Sequence, residues 1–160
     1  MDQGIKKFMK LRLVTKGDEQ LLFAWKNDPV NLANSRDHTP VAWVDHLAWF
    51  ASAVTDPDKV MCIAEVDGVP VGLVRSGPNQ AGQNEICFTT DPKWRGQGAE
   101  VAMVEMFVNE HVPDVDKVVL PIKPGNTTSE QAASGLGYLR LMGGKEDTVV
   151  NWVLPTTSDA

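Results

Sequence analysis

The stretch DPKWRGQGAE, residues 91–100, lies between an apolar, strand-like run that ends at Thr90 and a helical pattern that continues to His111. Two glycines in such a turn let the main chain adopt conformations that a Cβ would hinder. The first turn of the following helix leaves backbone N–H groups without intrahelical partners, and anions bind there readily. The stretch therefore predicts an anion-binding turn whose backbone amides can receive a diphosphate.

Two common phosphate-binding patterns are absent from this turn. It lacks the GxxxxGK[ST] loop of nucleotide hydrolases, and Val101 replaces the third glycine of a dinucleotide-binding GxGxxG. The pattern that remains is Arg95-x-x-Gly98-x-Glu100. Because a carboxylate repels a phosphate, we expect the Glu100 side chain to point away from a bound anion.

Hydrophobic periodicity and turn residues predict the elements on both sides of this turn. Asp67-Gly68 predicts a tight hairpin, and Thr39-Pro40 predicts a helix start. Strands are predicted at 11–14, 60–66, 69–75, 85–90, 117–122, from 137 and at 149–154, and helices at 18–27, from 39, at 101–111 and at 129–135. The second helix should bury Trp43, Leu47, Phe50 and Val54, and the third Val101, Val104, Phe107 and Val108.

This element order predicts one α/β (α+β) domain over residues 1–154, followed by a flexible tail at 155–160. We expect a mixed, mostly antiparallel sheet flanked by helices. The strand–helix–strand unit around Gly98 should form a right-handed crossover between two parallel strands. Gly143-Gly144 predicts a turn before the last strand.

Composition limits the classes of partner. The 160 residues carry a net charge of -6, which disfavours broad nucleic-acid binding and gives no polybasic handle for a membrane. Cys62 and Cys87 lie in apolar runs and form no CxxC pair, so they are expected to be free, buried thiols rather than metal ligands. With no export signal or 18-residue apolar segment, the sequence favours a cytoplasmic protein.

The Arg95-x-x-Gly98-x-Glu100 pattern resembles the acetyl-CoA motif of the GNAT N-acetyltransferase superfamily, Q/R-x-x-G-x-G/A, at all positions but the last. Asn126, Ser129, Gly137 and Tyr138 also match the spacing of that family's N-x-x-A-x-x-x-Y-x-x-x-G-F block. The resemblance spans residues 11–154 and implies a GNAT-like fold with acetyl-CoA as cofactor. The residues it implies for cofactor binding are Phe88, Thr89, Thr90, Arg95, Gly96, Gln97, Gly98, Ala99, Glu100 and Asn126.

The resemblance also implies direct attack of an amine on the thioester, which requires a base for the ammonium proton. Glu85 and His46 are the candidates; the alternatives are an exposed strand-end glutamate and a histidine packed on Trp49. Ala133 stands where many GNAT enzymes have the tyrosine that protonates the thiolate, and Ser129 and Ser134 are the nearest polar residues. An alkyl thiol has a pKa of about 8.5 and can also leave unaided.

The acceptor is suggested by the residues around Trp25-Lys26-Asn27-Asp28, Ser35 and His46-x-x-Trp49-Phe50, which resemble the RimJ/RimL-like and aminosugar-nucleotide branch. The substrate-binding candidates are Trp25, Asn27, His46 and Trp49; the two tryptophans could instead fill core, as we expect for Trp43. The activities consistent with this are N-acetylation of a small-molecule amine, including an aminosugar nucleotide, and acetylation of a peptide amine. An acyl-CoA-binding sensor and a cofactor-free interaction domain remain alternatives. The acidic charge favours simple amines over nucleotide sugars, and the protein is expected to be a monomer or homodimer.

Overall fold

The structure is a computed structural model that describes residues 2–141 and 149–155. Its strands are β1 Met9–Leu13, β2 Val60–Val66, β3 Val69–Pro78, β4 Asn84–Thr90, β5 Val118–Ile122, β6 Leu139–Arg140 and β7 Val150–Val153. Its helices are α1 Asp2–Lys6, α2 Glu19–Asn27, α3 Pro29–Ala33, α4 Trp43–Thr55, α5 Ala99–His111 and α6 Thr127–Gly135. The predicted Gly143-Gly144 turn and most of the predicted tail lie outside the described residues.

The seven strands form one sheet in the order β1-β2-β3-β4-β5-β7-β6. Every neighbouring pair is antiparallel except β4 and β5, which are parallel and joined by α5. Asp67 and Gly68 have φ angles of 51° and 79°, as the tight β2–β3 turn requires. The predicted hairpin, the parallel crossover and the mixed, mostly antiparallel sheet are therefore confirmed.

Helices cover both faces of the sheet. On one face, α5 and α6 pack on a large apolar cluster that includes Met103, Phe107, Ile86, Val118 and Leu120. On the other face, α2 and α4 pack on a smaller cluster formed by Leu22, Trp25, Phe50, Ala53, Met61, Ile63 and Leu73. None of the described helices is long and apolar enough to cross a lipid bilayer. The two clusters fix α5 and α2 on opposite sides of β4.

The predicted start of the second long helix at Thr39-Pro40 is wrong, because α4 begins at Trp43. The Asn27 side chain accepts a hydrogen bond from Val41 N and donates one to Val41 O, both at 2.9 Å. These contacts hold Val41 away from helical bonding. The segment between the first two predicted helices, for which no element was predicted, contains α3, which Asp28 caps by accepting from Asn31 N at 3.1 Å.

The buried faces of two helices differ from those predicted. In α4 the buried residues are His46, Phe50 and Ala53, whereas Trp43 is 39% exposed and does not fill core as expected. In α5, Val101 and Val108 are only half-buried. The residues of α5 that turn inward are Ala99, Glu100, Ala102, Met103, Val104 and Phe107. Both helices are thus rotated from the orientation that apolar spacing alone suggested.

The parallel pair separates soon after it forms. β4 and β5 share only the register pairs Asn84↔Val118 and Glu85↔Val119, although β4 continues to Thr90. The β3 side of β4 is paired along its whole length. Beyond Glu85 the sheet therefore has an opening between β4 and β5, and the candidate site lies there.

Candidate functional site

A cavity of about 630 Å³ extends from the opening between β4 and β5 to the face covered by α2 and α4. Residues from four regions line it. From the α2–α4 region come Trp25, Lys26, Asn31, Ser35, Arg36, Asp37, Asp45, His46 and Trp49; from β3 and β4, Leu73, Arg75, Glu85, Cys87, Phe88, Thr89 and Thr90; from the turn and α5, Arg95 and Glu100; and from β5 and α6, Lys123, Asn126, Thr128 and Ser129. Most of the site residues named from the sequence thus meet in one cavity.

The glycine turn has the backbone of an anion site. Gly96 has a φ of 73°, and Gly98, the N-cap of α5, has a φ of 88°. No side chain caps the helix, and its first backbone bond runs from Ala102 N to Gly98 O at 3.2 Å. The preceding N–H groups of α5 are therefore left for a ligand. A Cβ placed on Gly96 would meet no atom within 4 Å, so the turn is open on that side.

The polar side chains of the turn contact protein rather than the open side. The Arg95 guanidinium forms an ion pair with Asp28, which lies where α2 meets α3. Gln97 Nε2 donates to Lys93 O at 2.7 Å. The anion-binding capacity of the turn therefore comes from its main chain.

Glu100 was expected to point away from a bound anion, and the structure turns its side chain inward, to the cavity. The side chain is only 4% exposed, it lines the cavity, and its Oε2 is buried with no hydrogen-bond partner among the described residues. The reason is the rotation of α5, which turns Ala99, Glu100 and Met103 towards the sheet. A carboxylate therefore lies beside the turn that was predicted to receive a diphosphate.

The open edge of β4 presents backbone groups at alternate residues. Asp91 N donates to Val71 O at 2.8 Å and continues the β3–β4 register, so residues 87 and 89 also direct their backbone groups towards β3. Those of Phe88 and Thr90 must point the other way, into the opening. Thr89, named with them from the sequence, directs only its side chain to the cavity. Asn31 Nδ2 already contacts Thr90 O, at 3.4 Å.

The second sequence block lies across the opening. Asn126 caps α6, its Oδ1 accepting from Ser129 N at 3.4 Å, and both residues line the cavity. Ala133 is fully buried, and Ser134 is exposed. Tyr138 lies in the core behind α5, where burial raises its pKa, and it is not among the cavity-lining residues. Of the candidates for protonating a thiolate, only Ser129 reaches the cavity.

Glu85 and His46, the two candidate bases, have different environments. Glu85 lines the cavity, and its Oε2 lies 3.7 Å from an Arg36 guanidinium nitrogen. His46 is 2% exposed, and its Nε2 donates to Glu19 O at 2.8 Å, which ties α4 to α2. Its ring is surrounded by those of Phe23, Trp43, Trp49 and Phe50, with centroids at 5.2–6.1 Å. The geometry favours Glu85, because the His46 contact is structural.

The residues predicted to bind the acceptor differ in their access to the cavity. Both polar ends of the Asn27 side chain are bonded to Val41, and Asn27 is not among the cavity-lining residues, so the structure does not support its prediction as a substrate ligand. Trp25 is a core residue whose indole N–H donates to Asp91 Oδ2 at 2.9 Å, although it reaches the cavity wall. Trp49 is 38% exposed at the cavity wall and is the aromatic surface available to a ligand.

Sequence reasoning missed several cavity residues, above all Lys26, Arg75 and Cys87. Cys87 is half-buried at the cavity wall, while Cys62 is buried with its pKa raised to about 11 by burial. Arg75 had a signal in the sequence, as a charged residue in an otherwise apolar strand. In the part of the chain that the structure describes, no cluster of three or more histidine, cysteine or acidic side chains could hold a metal ion.

Comparison of the sequence with protein-family models and with curated proteins finds no match. Solved structures do match. The aminoglycoside acetyltransferase AAC(6′)-Ib, solved with ribostamycin and coenzyme A, matches with a TM-score of 0.74 at 19% identity, over 94% of this chain and 95% of its own. Spermidine N-acetyltransferase from Vibrio cholerae, solved with CoA and spermine, has a TM-score of 0.73 at 12% identity, over 91% and 94%.

A domain from Methanocaldococcus jannaschii DSM 2661 matches with a TM-score of 0.72 at 19% identity, over 91% of this chain and 97% of that domain. At these identities the likeness shows the fold. The chain has the fold of the GNAT acetyltransferases, as its sequence resemblance predicted.

Proposed function

We propose that the protein is an acetyl-CoA-dependent N-acetyltransferase that acts on the primary amine of a small molecule. The observation that carries this proposal is that two backbone surfaces border one cavity. One is the uncapped start of α5, whose flanking residues Arg95 and Glu100 line the cavity, and the other is the β4 edge, where the N–H groups of Phe88 and Thr90 face the opening. The first suits a diphosphate and the second suits an extended, amide-containing chain, because both offer donors with fixed directions.

The backbone groups around the cavity suit acetyl-CoA, and one side chain, that of Glu100, does not. The amides of residues 96–100 would hold the diphosphate, and the open edge of β4 would hold the pantetheine, with Asn126 facing it across the opening. Glu100 is the departure, since its buried carboxylate adds a negative charge next to the diphosphate. When bound, acetyl-CoA supplies an acetyl group activated as a thioester, and an amine displaces the thiol.

Glu85 would accept the proton that the acceptor's ammonium must lose. It lies on the strand whose backbone groups face the opening, and its Oε2 is 3.7 Å from the Arg36 guanidinium. A backbone N–H of Phe88 or Thr90 would donate to the carbonyl oxygen as it gains charge. Ser129, the residue named from the sequence for this role that also lines the cavity, would supply a proton to the departing sulfur.

A small-molecule acceptor is favoured over a peptide by the way the cavity is covered. Lys123 Nζ, just after β5, donates to Ala33 O at 2.7 Å, and Arg36 contacts Glu85 from the same α3 region. These contacts close part of the groove that an extended peptide would occupy. The neighbours solved with ribostamycin and with spermine support acetylation of amines in general; an aminosugar nucleotide and a peptide N-terminus remain narrower versions of the proposal.

Two observations favour a second candidate, an acyl-CoA-binding sensor without turnover. Ala133 replaces the usual tyrosine, and the Glu100 carboxylate stands where the family pattern has a small residue. Such a protein would bind the coenzyme but release no thiol with any amine.

Two measurements test both proposals. Acetyl-CoA at 100 times its dissociation constant should stabilise the protein by about 2.7 kcal/mol, which thermal unfolding detects easily. The stabilised protein should then release free thiol when primary amines are added. Binding without release across a broad amine panel would select the sensor, and no stabilisation at millimolar coenzyme would refute both.

A further inference from the structure

Two cations that sequence reasoning missed meet at the acceptor end of the cavity. Lys26, on the last turn of α2, and Arg75, on β3, both line it. The Arg75 guanidinium lies 5.8 Å from the centre of the Trp49 ring, and Arg75 is register-paired with Cys87 on β4. Since neighbouring strands are separated by about 4.8 Å, Arg75 lies beside Cys87, two residues along β4 from Glu85.

Neither cation has an acidic partner in the described part of the chain. The only hydrogen bond of the Lys26 ammonium runs to Ser35 Oγ at 3.4 Å, and neither Lys26 nor Arg75 forms an ion pair there. Desolvation, followed by repulsion from Arg75, lowers the pKa of Lys26. A half-buried ammonium beside a second cation is unfavourable unless a negative charge completes the site.

The acidic groups around this pair are committed elsewhere or lie further out. Glu85 is paired with Arg36. Asp37 attracts Lys26 from a distance, but it is exposed and its Oδ1 accepts from Thr39 N at 2.9 Å. Asp45 is exposed on α4. The cationic pair is therefore free to receive an anion from a ligand.

We propose that Lys26 and Arg75 form an anion subsite, and that the acceptor is an amine that also carries a carboxylate or a phosphate. The subsite deepens the proposed acetyltransferase function and rests on it for the identity of the second substrate as an amine. A guanidinium and an ammonium suit such a group, because the planar fork of arginine binds two oxygens and lysine adds a point charge. The Trp49 ring supplies a flat surface for the rest of the molecule.

This proposal differs from the preference for simple amines that the acidic net charge suggested. Net charge acts over the whole surface and is screened within about 8 Å at physiological salt. A half-buried pair of cations acts at contact distance and is screened much less. The local charges should therefore decide which amine binds productively.

Matched amines test the subsite. O-Phosphoethanolamine would be compared with ethanolamine, and β-alanine with 3-aminopropanol, because each pair differs mainly in the anionic group. Calorimetry on CoA-saturated protein would give the dissociation constants, and thiol release would give kcat/KM. We expect each anionic amine to be preferred at least about tenfold, with the larger preference identifying phosphate or carboxylate as the natural group.

Variants assign the preference to these residues. Lys26→Met and Arg75→Met should each reduce the preference for the anionic amine over its uncharged counterpart about tenfold, and Arg75→Lys should recover part of the loss. Lys117→Met, which removes an exposed cation that is not among the cavity-lining residues, is the matched control. Equal affinities within both amine pairs, or an anion preference that survives both variants, would overturn the subsite.

The same experiment separates this inference from the proposed function. Anion-dependent binding that is lost in the variants, without thiol release from any amine, would support the subsite and refute the acetyltransferase. Thiol release with no preference for anionic amines would support the acetyltransferase and refute the subsite. If a methionine variant fails to fold, as its melting temperature would show, Arg75→Gln and Lys26→Gln replace it.

Discussion

The Arg95 guanidinium forms an ion pair with the Asp28 carboxylate, and this contact joins the glycine turn to the corner between α2 and α3. Asp28 also caps α3, so one carboxylate holds both the arginine and the start of a helix that covers the cavity. Both side chains are largely buried, with 23% and 16% of their surfaces exposed. The proposed cofactor turn and the acceptor region are therefore electrostatically connected.

Breaking this pair should change cofactor binding. Asp28→Asn keeps a capping oxygen for α3 but removes the charge that neutralises Arg95, so we expect coenzyme A to bind at least about tenfold more tightly, because a hydrogen bond to a charged group contributes about 1.5 kcal/mol or more. Arg95→Gln should then weaken binding more in the Asp28→Asn background than in the native protein. Calorimetry on the four proteins of this cycle measures the coupling, and purely additive effects would show that the pair does not regulate the turn.

Gly96→Ala should selectively impair coenzyme binding. Its φ of 73° is unfavourable for alanine, at a cost of about 1 kcal/mol in the free energy of unfolding, yet the new Cβ meets no protein atom. Gly68→Ala is a matched control, because Gly68 has a φ of 79° and is equally open. Both variants should lose similar stability in urea titrations, and only Gly96→Ala should lose affinity for coenzyme A. Equal affinities would show that no ligand approaches this turn.

Glu100→Gln should strengthen coenzyme binding. The substitution keeps the size of the side chain and removes a buried charge that lies beside the proposed diphosphate position. We expect at least about a tenfold lower dissociation constant, because like charges at short range repel by more than 1 kcal/mol even at the effective dielectric of a protein surface. Glu105→Gln, on the exposed side of the same helix, is the control. Unchanged or weaker binding would mean that the carboxylate faces another part of the ligand.

Glu85→Gln should slow acetyl transfer without affecting coenzyme binding. Loss of a general base typically lowers kcat by about 100-fold or more. The deficit should shrink as pH rises, since a growing fraction of the acceptor amine then arrives already deprotonated. Rates of thiol release from pH 6 to pH 10 measure this, and a constant deficit across that range would assign Glu85 to positioning.

Asp18 should make the fold sensitive to acid. Its carboxylate accepts from both terminal nitrogens of Arg12, at 2.8 and 2.9 Å, and from Thr15 N at 2.8 Å. The Arg12 hydrogen bonds hold the pKa of Asp18 below its ordinary value of 3.8. A depressed folded-state pKa stabilises the protein above the unfolded-state pKa, and this stability is lost as pH falls through the folded-state value.

Asp18→Asn should therefore lower the free energy of unfolding by about 2 kcal/mol at pH 7, the scale of hydrogen bonds to a charged group. The difference from the native protein should diminish as pH falls below the ordinary carboxyl pKa of 3.8. Urea titrations at pH 7 and below that pKa measure it. A gap that stays constant with pH would attribute the loss to packing instead of charge.

Local sequence patterns correctly predicted the turns, whose conformation depends on residues that are adjacent in the sequence. Asp67-Gly68 specified a hairpin because few residues tolerate positive φ, and Gly98 specified the turn before α5 for the same reason. The order of strands and helices followed from periodicity and turn residues, and the crossover followed from that order. The residues that meet in the cavity were named through the family resemblance.

Long-range contacts decided what the patterns could not. The side chain of Asn27 holds Val41 extended, fourteen residues away, and so displaces the start of α4. Packing against both core clusters set the rotation of α4 and α5, which buried His46 and turned Glu100 inward. The Lys26–Arg75 subsite depends on a helix and a strand meeting across a sheet face, and no sequence spacing encodes that meeting.

The short pairing between β4 and β5 divides the sheet into two parts, β1–β4 and β5–β7–β6, which are joined by few backbone hydrogen bonds. Seven register pairs join β2 to β3, whereas two join β4 to β5. The part formed by β5, β7 and β6 is therefore attached to the rest of the sheet mainly by side-chain packing under α5. It can unfold locally while β1–β4 stay hydrogen-bonded to one another. A ligand that hydrogen-bonds to β4 and contacts β5 would therefore stabilise the contact between the two parts of the sheet, in addition to taking part in the reaction.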